Sequence, residues 1–161
     1  MTLAELHRVI QVAMGWQDCH LHQFEIAGVT YGVDDGEGWG PAPEDEGRTR
    51  LDRVAGRGTR FTYEYDFGDS WEHAITVEDV LDAEEGTTCP VCVAGKRACP
   101  PEDCGGVWGY EGFLAAVADP GHEEHDGLLE WAGGQFDPEF LDLAAVNRAL
   151  APAGRRSDSR A

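Results

Sequence analysis

The sequence predicts an α+β protein in which an aromatic-rich central β-hairpin belongs to a sheet packed by about four helices, with a cysteine-rich loop after the hairpin. Three observations favour this class. The chain starts with an amphipathic helical pattern, residues 60–78 alternate aromatic and polar side chains, and four cysteines cluster in a segment without periodicity. With 161 residues, 42% of them hydrophobic, the chain has the size and composition of one domain with one core.

The first elements are a helix at 2–14 and a short hairpin at 20–31. Thr2 and Glu5 have the spacing of a capping box, and Gly15 ends the apolar pattern. Four apolar residues recur at helical spacing: Leu3, Leu6, Ile10 and Met14. Residues 20–26 then alternate polar and apolar side chains, and Ala27-Gly28 supplies a turn into 29–31.

An acidic loop and a basic segment follow. Residues 34–47 hold six acidic residues, four glycines and two prolines, which predicts a solvated loop. A short helix is expected around 49–55. Five arginines between Arg48 and Arg60 form the basic segment, which balances the acidic loop.

Residues 60–78 give the clearest β pattern in the chain. The period of two places one set of side chains in the core, and Gly68-Asp69-Ser70 supplies the turn. We expect the following side chains to be largely buried: Phe61, Tyr63, Tyr65, Phe67, Trp71 and Ile75.

The remaining chain is predicted as a loop followed by helices. Residues 86–109 lack periodicity, and ordering so long a loop costs about 1–2 kcal/mol per residue, so something must hold it. A helix that buries Phe113 follows. Asp137 as N-cap and Pro138 at the first position predict the start of the last helix, which should bury Phe140. We expect one domain at 1–150 and a disordered tail at 151–161.

Several of these segments resemble the plasmid pRiA4b ORF-3-like family. The likeness is carried by TLAELHRVIQVAMGWQDCHLHQFEI (2–26), FTYEYDFGDSWEHAI (61–75), CPVCVAGKRACPPEDCGGVWGYEGF (89–113) and FDPEFLDLAAVN (136–147). It covers roughly residues 2–150. The resemblance implies an α+β fold with a mixed or antiparallel sheet, and an association with plasmids or mobile elements. Its chemistry is unassigned, although some relatives in insertion elements carry a resolvase-like label.

The resemblance also implies a strand ahead of the first helix that this chain does not show. We therefore expect one strand of the sheet to have an open edge. Unpaired backbone groups on such an edge can pair with another chain, so self-association through it is expected.

Charge and hydropathy exclude several classes of function. The net charge of −19, from 31 acidic and 12 basic residues, argues against a nucleic-acid partner and favours a basic protein or a metal ion. No apolar run approaches the roughly 18 residues of a membrane span. Glu5, His7 and Arg8 interrupt any signal-peptide core, so we expect a cytoplasmic location.

The four clustered cysteines are candidate zinc ligands. Cys89, Cys92, Cys99 and Cys104 have the spacing C-x2-C-x6-C-x4-C. A C-x2-C pair commonly starts a tetrahedral thiolate site, and a bound Zn²⁺ contributes folding free energy where a core is lacking. The alternatives are four thiols without metal, or a redox or disulfide role. Cys19 stands apart and is expected to be a small buried residue.

A second set of residues are candidates for a catalytic or cation site. They are Asp66, Asp69, His73, Glu102 and Asp103. Carboxylates beside an imidazole can seat a divalent cation or supply a general base. The alternatives are that Asp69 serves the turn, His73 is a hydrogen-bonded core residue, and Glu102 and Asp103 cap a helix or form ion pairs.

Two functions therefore remain open from the sequence. The first is a metal-stabilised interaction module for an unknown protein partner, with accessory roles on plasmids or mobile elements. The second is a metal-dependent, hydrolase-like enzyme. A serine nucleophile finds no support, because Ser70 is the only serine before residue 157 and no G-x-S-x-G or phosphate-binding glycine motif occurs.

Overall fold

The computed structural model describes residues 1–34, 36, 41–82 and 89–154. In this part of the chain the helices are α1 (Leu3–Met14), α2 (Leu51–Val54), α3 (Gly106–Ala118), α4 (His125–Trp131) and α5 (Leu143–Gly154). The strands are β1 (His22–Ile26), β2 (Val29–Gly32), β3 (Glu44–Asp45), β4 (Arg60–Tyr65) and β5 (Trp71–Thr76). The predicted α+β class is confirmed.

The strands form one mixed sheet in the order β3-β2-β1-β4-β5. β1 pairs antiparallel with β2 and β4, β4 pairs antiparallel with β5, and the short β3 pairs parallel with β2. β1 therefore occupies the middle of the sheet, and the aromatic hairpin β4-β5 forms one side of it. The strand β3 lies inside the segment that was expected to be a loop.

Helix α1 begins at the predicted capping box. The Thr2 backbone N–H donates to Glu5 Oε2 at 2.7 Å, and the Glu5 N–H donates to Thr2 Oγ1 at 3.2 Å. Gly15 ends the helix with a φ of 77°. The buried line of the helix is Leu3, His7 and Gln11, whereas the other predicted apolar positions are only half-buried against the core. The helix thus brings two polar side chains into the interior.

The predicted aromatic core is confirmed at most positions. Phe61, Tyr63, Tyr65 and Trp71 are buried. The prediction for Phe67 is wrong, since 48% of this residue is exposed. β4 ends at Tyr65, and Asp66 has a φ of 57°, so the alternation of faces stops before Phe67. Ile75 is half-buried and packs against the same core.

The start of the last helix also differs from the prediction. α5 begins at Leu143, and the Asp142 carboxylate accepts a hydrogen bond from the Ala145 N–H at 2.8 Å, so Asp142 caps the helix. Phe140 therefore precedes the helix and is 63% exposed. Because α5 continues to Gly154, residues 151–154 are helical, contrary to the expected tail. Residues 155–161 lie outside the described residues.

Strand β5 lies at the edge of the sheet, next to β4 only. It spans six residues, and within the described residues no other strand pairs with its outer side. The self-association expected through an open edge of the sheet stays a prediction.

His73 on β5 is the basis of a pH prediction. Burial holds the pKa of His73 below its ordinary value, while its Nδ1 lies 2.9 Å from the Trp71 carbonyl oxygen. In the unfolded chain His73 takes up a proton near pH 6.5, whereas in the folded protein it takes up this proton only at lower pH. Acidification from about pH 7 through 6.5 should therefore lower the free energy of unfolding, and the loss should stop below the folded pKa.

Urea denaturation of the wild type and His73→Phe at several pH values between about 5 and 7.5 measures this effect. The variant should lose less stability on acidification, because all other titrating groups are shared. If the free energy of unfolding of the two proteins had the same pH dependence, His73 would not be its source.

Candidate metal centre

The hairpin corner after β4 is fixed against the segment that leads into β1. The Asp66 N–H donates to the Leu21 carbonyl oxygen at 2.9 Å, which places His20 beside the corner. The Asp66 Oδ1 accepts from the N–H groups of Gly68 at 2.9 Å and Asp69 at 3.3 Å. Asp66 Oδ2 lies 3.7 Å from His20 Nε2. One carboxylate oxygen therefore holds the turn while the other faces the imidazole.

The loop before α3 is fixed against the same corner. The Gly105 N–H donates to Asp69 Oδ2 at 3.0 Å. A Cβ atom at position 106 would clash with the Asp69 carbonyl oxygen, so only glycine permits this approach. Asp103, with a φ of 58°, then places its Oδ1 3.0 Å from His20 Nε2. Three separate segments thus meet at one imidazole nitrogen.

The distances around His20 match those between ligands of one metal ion. Ligand atoms of His20, Asp66 and Asp103 all lie within 4.8 Å of one another. With bonds of about 2.1 Å, adjacent ligands lie about 3.0 Å apart in an octahedral site and about 3.4 Å apart in a tetrahedral site. The contacts of 3.0 and 3.7 Å bracket these values.

The His20 Nε2 atom is itself buried and makes no hydrogen bond within the described part of the chain, although two carboxylate oxygens face it. Buried polar atoms in folded proteins rarely lack a hydrogen-bond partner. The positions of the Asp66 and Asp103 oxygens therefore fit an ion pair with His20 or a cation shared with it, and not a hydrogen bond to His20.

Further polar groups adjoin the His20 site. The Tyr65 hydroxyl donates to Glu102 Oε1 at 2.6 Å, and the Gln17 N–H donates to Glu102 Oε2 at 2.9 Å. Burial raises the pKa of Tyr65, and the hydrogen bond to Glu102 raises it further, so the phenol remains a donor. Cys19 Sγ lies 3.5 Å from Glu102 Oε1. Cys19 is exposed, contrary to the expected buried position.

The structure therefore brings together four of the five predicted catalytic or cation-site candidates. Asp66, Asp69, Glu102 and Asp103 meet at the corner, but His73 lies on β5 and bonds to the Trp71 carbonyl. The imidazole beside these carboxylates is that of His20, and not that of His73 as expected. No sequence spacing indicated His20, because it reaches the two acidic segments only through tertiary contacts.

A second histidine cluster has a different geometry. His7, Asp18 and His22 also have ligand atoms within 4.8 Å of one another. However, the His7 and His22 rings stack with centroids 3.4 Å apart and planes only 1° from parallel. Lone pairs on parallel rings cannot aim at one ion, and each ring already has a carboxylate partner: His7 contacts Asp18 at 2.7 Å and His22 contacts Glu46 at 2.9 Å. This cluster is a set of hydrogen-bonded side chains that extends from the buried His7 to the exposed Asp18.

The four clustered cysteines occupy different environments. Cys99 and Cys104 pack against the core, and burial raises the pKa of Cys99 to about 12 and that of Cys104 to about 11. Cys89 is exposed. The Cys92 N–H donates to Asn147 Oδ1 at 2.7 Å. Within the described ranges, none of these four belongs to a set of three ligand atoms within 4.8 Å. Zinc binding by the four thiols stays a prediction.

Replacing Cys89 and Cys92 by alanine together tests that prediction. If the loop holds about one zinc per chain, the double variant should lose the metal and several kcal/mol of stability. Elemental analysis of protein purified without added metal, combined with thermal melts, measures both. A double variant as stable as the wild type, together with a wild type that carries no metal, would exclude a thiolate zinc site.

No helix in the described residues is both long and apolar enough to cross a membrane. The fold and the His20 site together define a small α+β protein with a mixed sheet and a histidine–carboxylate cluster at one hairpin corner.

The chain belongs to the plasmid pRiA4b ORF-3-like protein family, whose model matches residues 1–145. It is 43% identical over 151 residues to the uncharacterised protein y4hQ of Sinorhizobium fredii, covering 92% of this chain and 77% of that protein. It also resembles the crystal structure of MM3350, a protein of unknown function from Methanosarcina mazei, with a TM-score of 0.79 and 37% identity. That match covers 92% of this chain and 83% of MM3350.

Proposed function

We propose that this protein is a metal-dependent, hydrolase-like enzyme whose divalent cation is held by His20, Asp66 and Asp103. The observation that carries the proposal is the convergence of two carboxylates on the buried His20 Nε2 atom, which has no hydrogen bond to any described residue. Each of the three ligands comes from a separate segment, and backbone hydrogen bonds and a required glycine hold these segments together.

The cluster has the character of an open site. Catalytic metal sites combine three protein ligands with a position for water, whereas structural zinc sites are closed by four. The Asp103 side chain is 66% exposed, so solvent and substrate can approach from its side. A cation bound there would lower the pKa of a bound water and polarise a substrate oxygen.

Glu102 is the group best placed to accept a proton beside the cation. One of its oxygens belongs to a set with Cys19 and His20 in which all ligand atoms lie within 4.8 Å of one another. Tyr65 and the Gln17 N–H orient the carboxylate from two sides. We assign Glu102 the role of general base and Tyr65 that of a positioning residue, because Tyr65 acts through Glu102.

The ligand set favours a first-row divalent cation. Imidazole suits zinc and iron, and carboxylates suit manganese and magnesium, so one histidine with two carboxylates fits Zn²⁺ or Mn²⁺ best. The net charge of −19 raises the local concentration of any cation around the molecule.

Hydrolysis assays with model substrates test the enzymatic part of the proposal. Nitrophenyl esters and bis(nitrophenyl) phosphate should be hydrolysed in the presence of Mn²⁺ or Zn²⁺ and not after chelation. Glu102→Gln should reduce the rate by about 100-fold or more at saturating cation, because it removes the base and leaves the three ligands in place. Cation-independent hydrolysis, or an unchanged rate in Glu102→Gln, would contradict the mechanism.

The metal-stabilised interaction module is the second candidate function. Its support is two large exposed apolar side chains, one at the start of α3 and one before α5: Trp108 is 82% exposed and Phe140 is 63% exposed. This function would be favoured if purified protein carried zinc that was lost in the Cys89→Ala, Cys92→Ala variant but retained in Asp66→Asn.

A further inference from the structure

A cavity of about 690 Å³ lies outside the His20 cluster. It is formed by the end of α1, the start of β5, residues 92–100 and the beginning of α5, and none of His20, Asp66 and Asp103 lines it. Ligand pockets in proteins commonly have volumes of about 300–1,000 Å³. The cavity is therefore large enough for a small organic molecule.

Aromatic and aliphatic side chains form most of its wall. Trp16 and Trp71 line it with ring centroids 6.2 Å apart and planes tilted by 39°, and His73 meets Trp16 edge to face at 5.5 Å. Met14 and Leu141 add aliphatic surface. Such a wall favours a ligand with a flat apolar body.

The two indoles of the cavity differ in their hydrogen bonding. Trp16 Nε1 donates to the Pro100 carbonyl oxygen at 3.0 Å. Trp71 is nine-tenths buried, and its Nε1 has no acceptor among the described residues. A buried indole N–H normally finds a partner, so Trp71 Nε1 is an unusual donor among the described residues.

The charge of the cavity lining is opposite to that of the protein. Lys96 and Arg97 line the cavity, and no Asp or Glu does, in a chain with 31 acidic residues. Arg97 Nε pairs with Glu139 at 3.1 Å, whereas Lys96 appears in none of the ion pairs found in the described part of the chain. The lining therefore favours an anion.

We propose that this cavity binds a planar organic anion of the aromatic carboxylate or sulfonate class. The flat ring packs against the apolar wall that Trp16 and Trp71 form, and the negative charge lies near Lys96. The inference stands apart from the cation site, since the two share no lining residue.

The probe for this site is 1-anilinonaphthalene-8-sulfonate, with the uncharged N-phenyl-1-naphthylamine as its matched analogue. We expect saturable binding of the sulfonate with one site per chain, and about tenfold weaker binding in Lys96→Gln, the equivalent of one charged contact. Trp71→Phe keeps an aromatic ring but reduces the flat apolar surface of the wall, so it should also weaken binding. Trp108→Phe is the control, because Trp108 is 82% exposed and does not line the cavity.

Three outcomes would overturn the proposal: no saturable binding to folded wild type, equal affinity for the uncharged analogue, or an unchanged affinity in Lys96→Gln. The Lys96 variant alters a single side chain at the cavity, so its result stands even if Trp71→Phe folds poorly. Asp66→Asn should bind the sulfonate with the affinity of the wild type. This result would show that binding in the cavity does not depend on the proposed cation site.

Discussion

Replacing Trp71 by alanine is expected to lower the free energy of unfolding by about 3–5 kcal/mol, a large part of the total stability of a domain of this size. Trp71 is buried at the start of β5, pairs across the hairpin with Tyr65 and packs against Trp16. Truncation would remove this packing and leave a cavity between the sheet and α1.

Urea denaturation followed by far-UV circular dichroism measures this loss. Trp108→Ala is the matched control, because Trp108 is 82% exposed and its loss should change stability by less than about 0.5 kcal/mol. A Trp71→Ala protein with the wild-type midpoint would show that the aromatic hairpin does not carry the core.

Asp66→Asn is expected to weaken Zn²⁺ or Mn²⁺ binding by about 100-fold or more, because it removes the negative charge of one of the two carboxylate ligands. Asparagine retains an oxygen that can accept the Gly68 and Asp69 N–H bonds, so the turn and the fold should survive. The change thus separates the charge that faces His20 from the hydrogen bonds that hold the corner.

Isothermal titration calorimetry measures the affinity, and Asp119→Asn is the matched control. Asp119 accepts a hydrogen bond from the Gly121 N–H at 2.9 Å, the same turn arrangement as Asp66 and Gly68, but it belongs to none of the three candidate ligand clusters. Equal affinities of wild type and Asp66→Asn would remove Asp66 from the site.

Local patterns predicted the elements of this fold well. The capping box at Thr2 and the left-handed Gly15 bound α1 as expected, because helix ends depend on side chains near in sequence. The period-two pattern identified β4 and β5. It failed at Phe67, because Asp66 adopts a left-handed conformation that the alternation of residue types does not reveal.

The candidate site could be predicted only in part. The acidic residues at the hairpin corner and before the Gly-Gly pair were recognisable from their types, and four of them meet. His20 was not recognisable, because it reaches them through the backbone bond from Asp66 to Leu21, a contact between distant parts of the chain. The apolar pattern of α1 likewise did not predict the burial of His7 and Gln11, because their hydrogen-bond partner Tyr63 lies more than fifty residues away in the sequence.

Anomalous diffraction from crystals grown with Mn²⁺ or Zn²⁺ would locate the proposed cation. We expect one strong peak about 2.0–2.3 Å from His20 Nε2, an oxygen of Asp66 and an oxygen of Asp103, with at least one coordination position open to solvent. A peak at the thiols of the cysteine loop alone, or no peak near His20 at saturating cation, would contradict it.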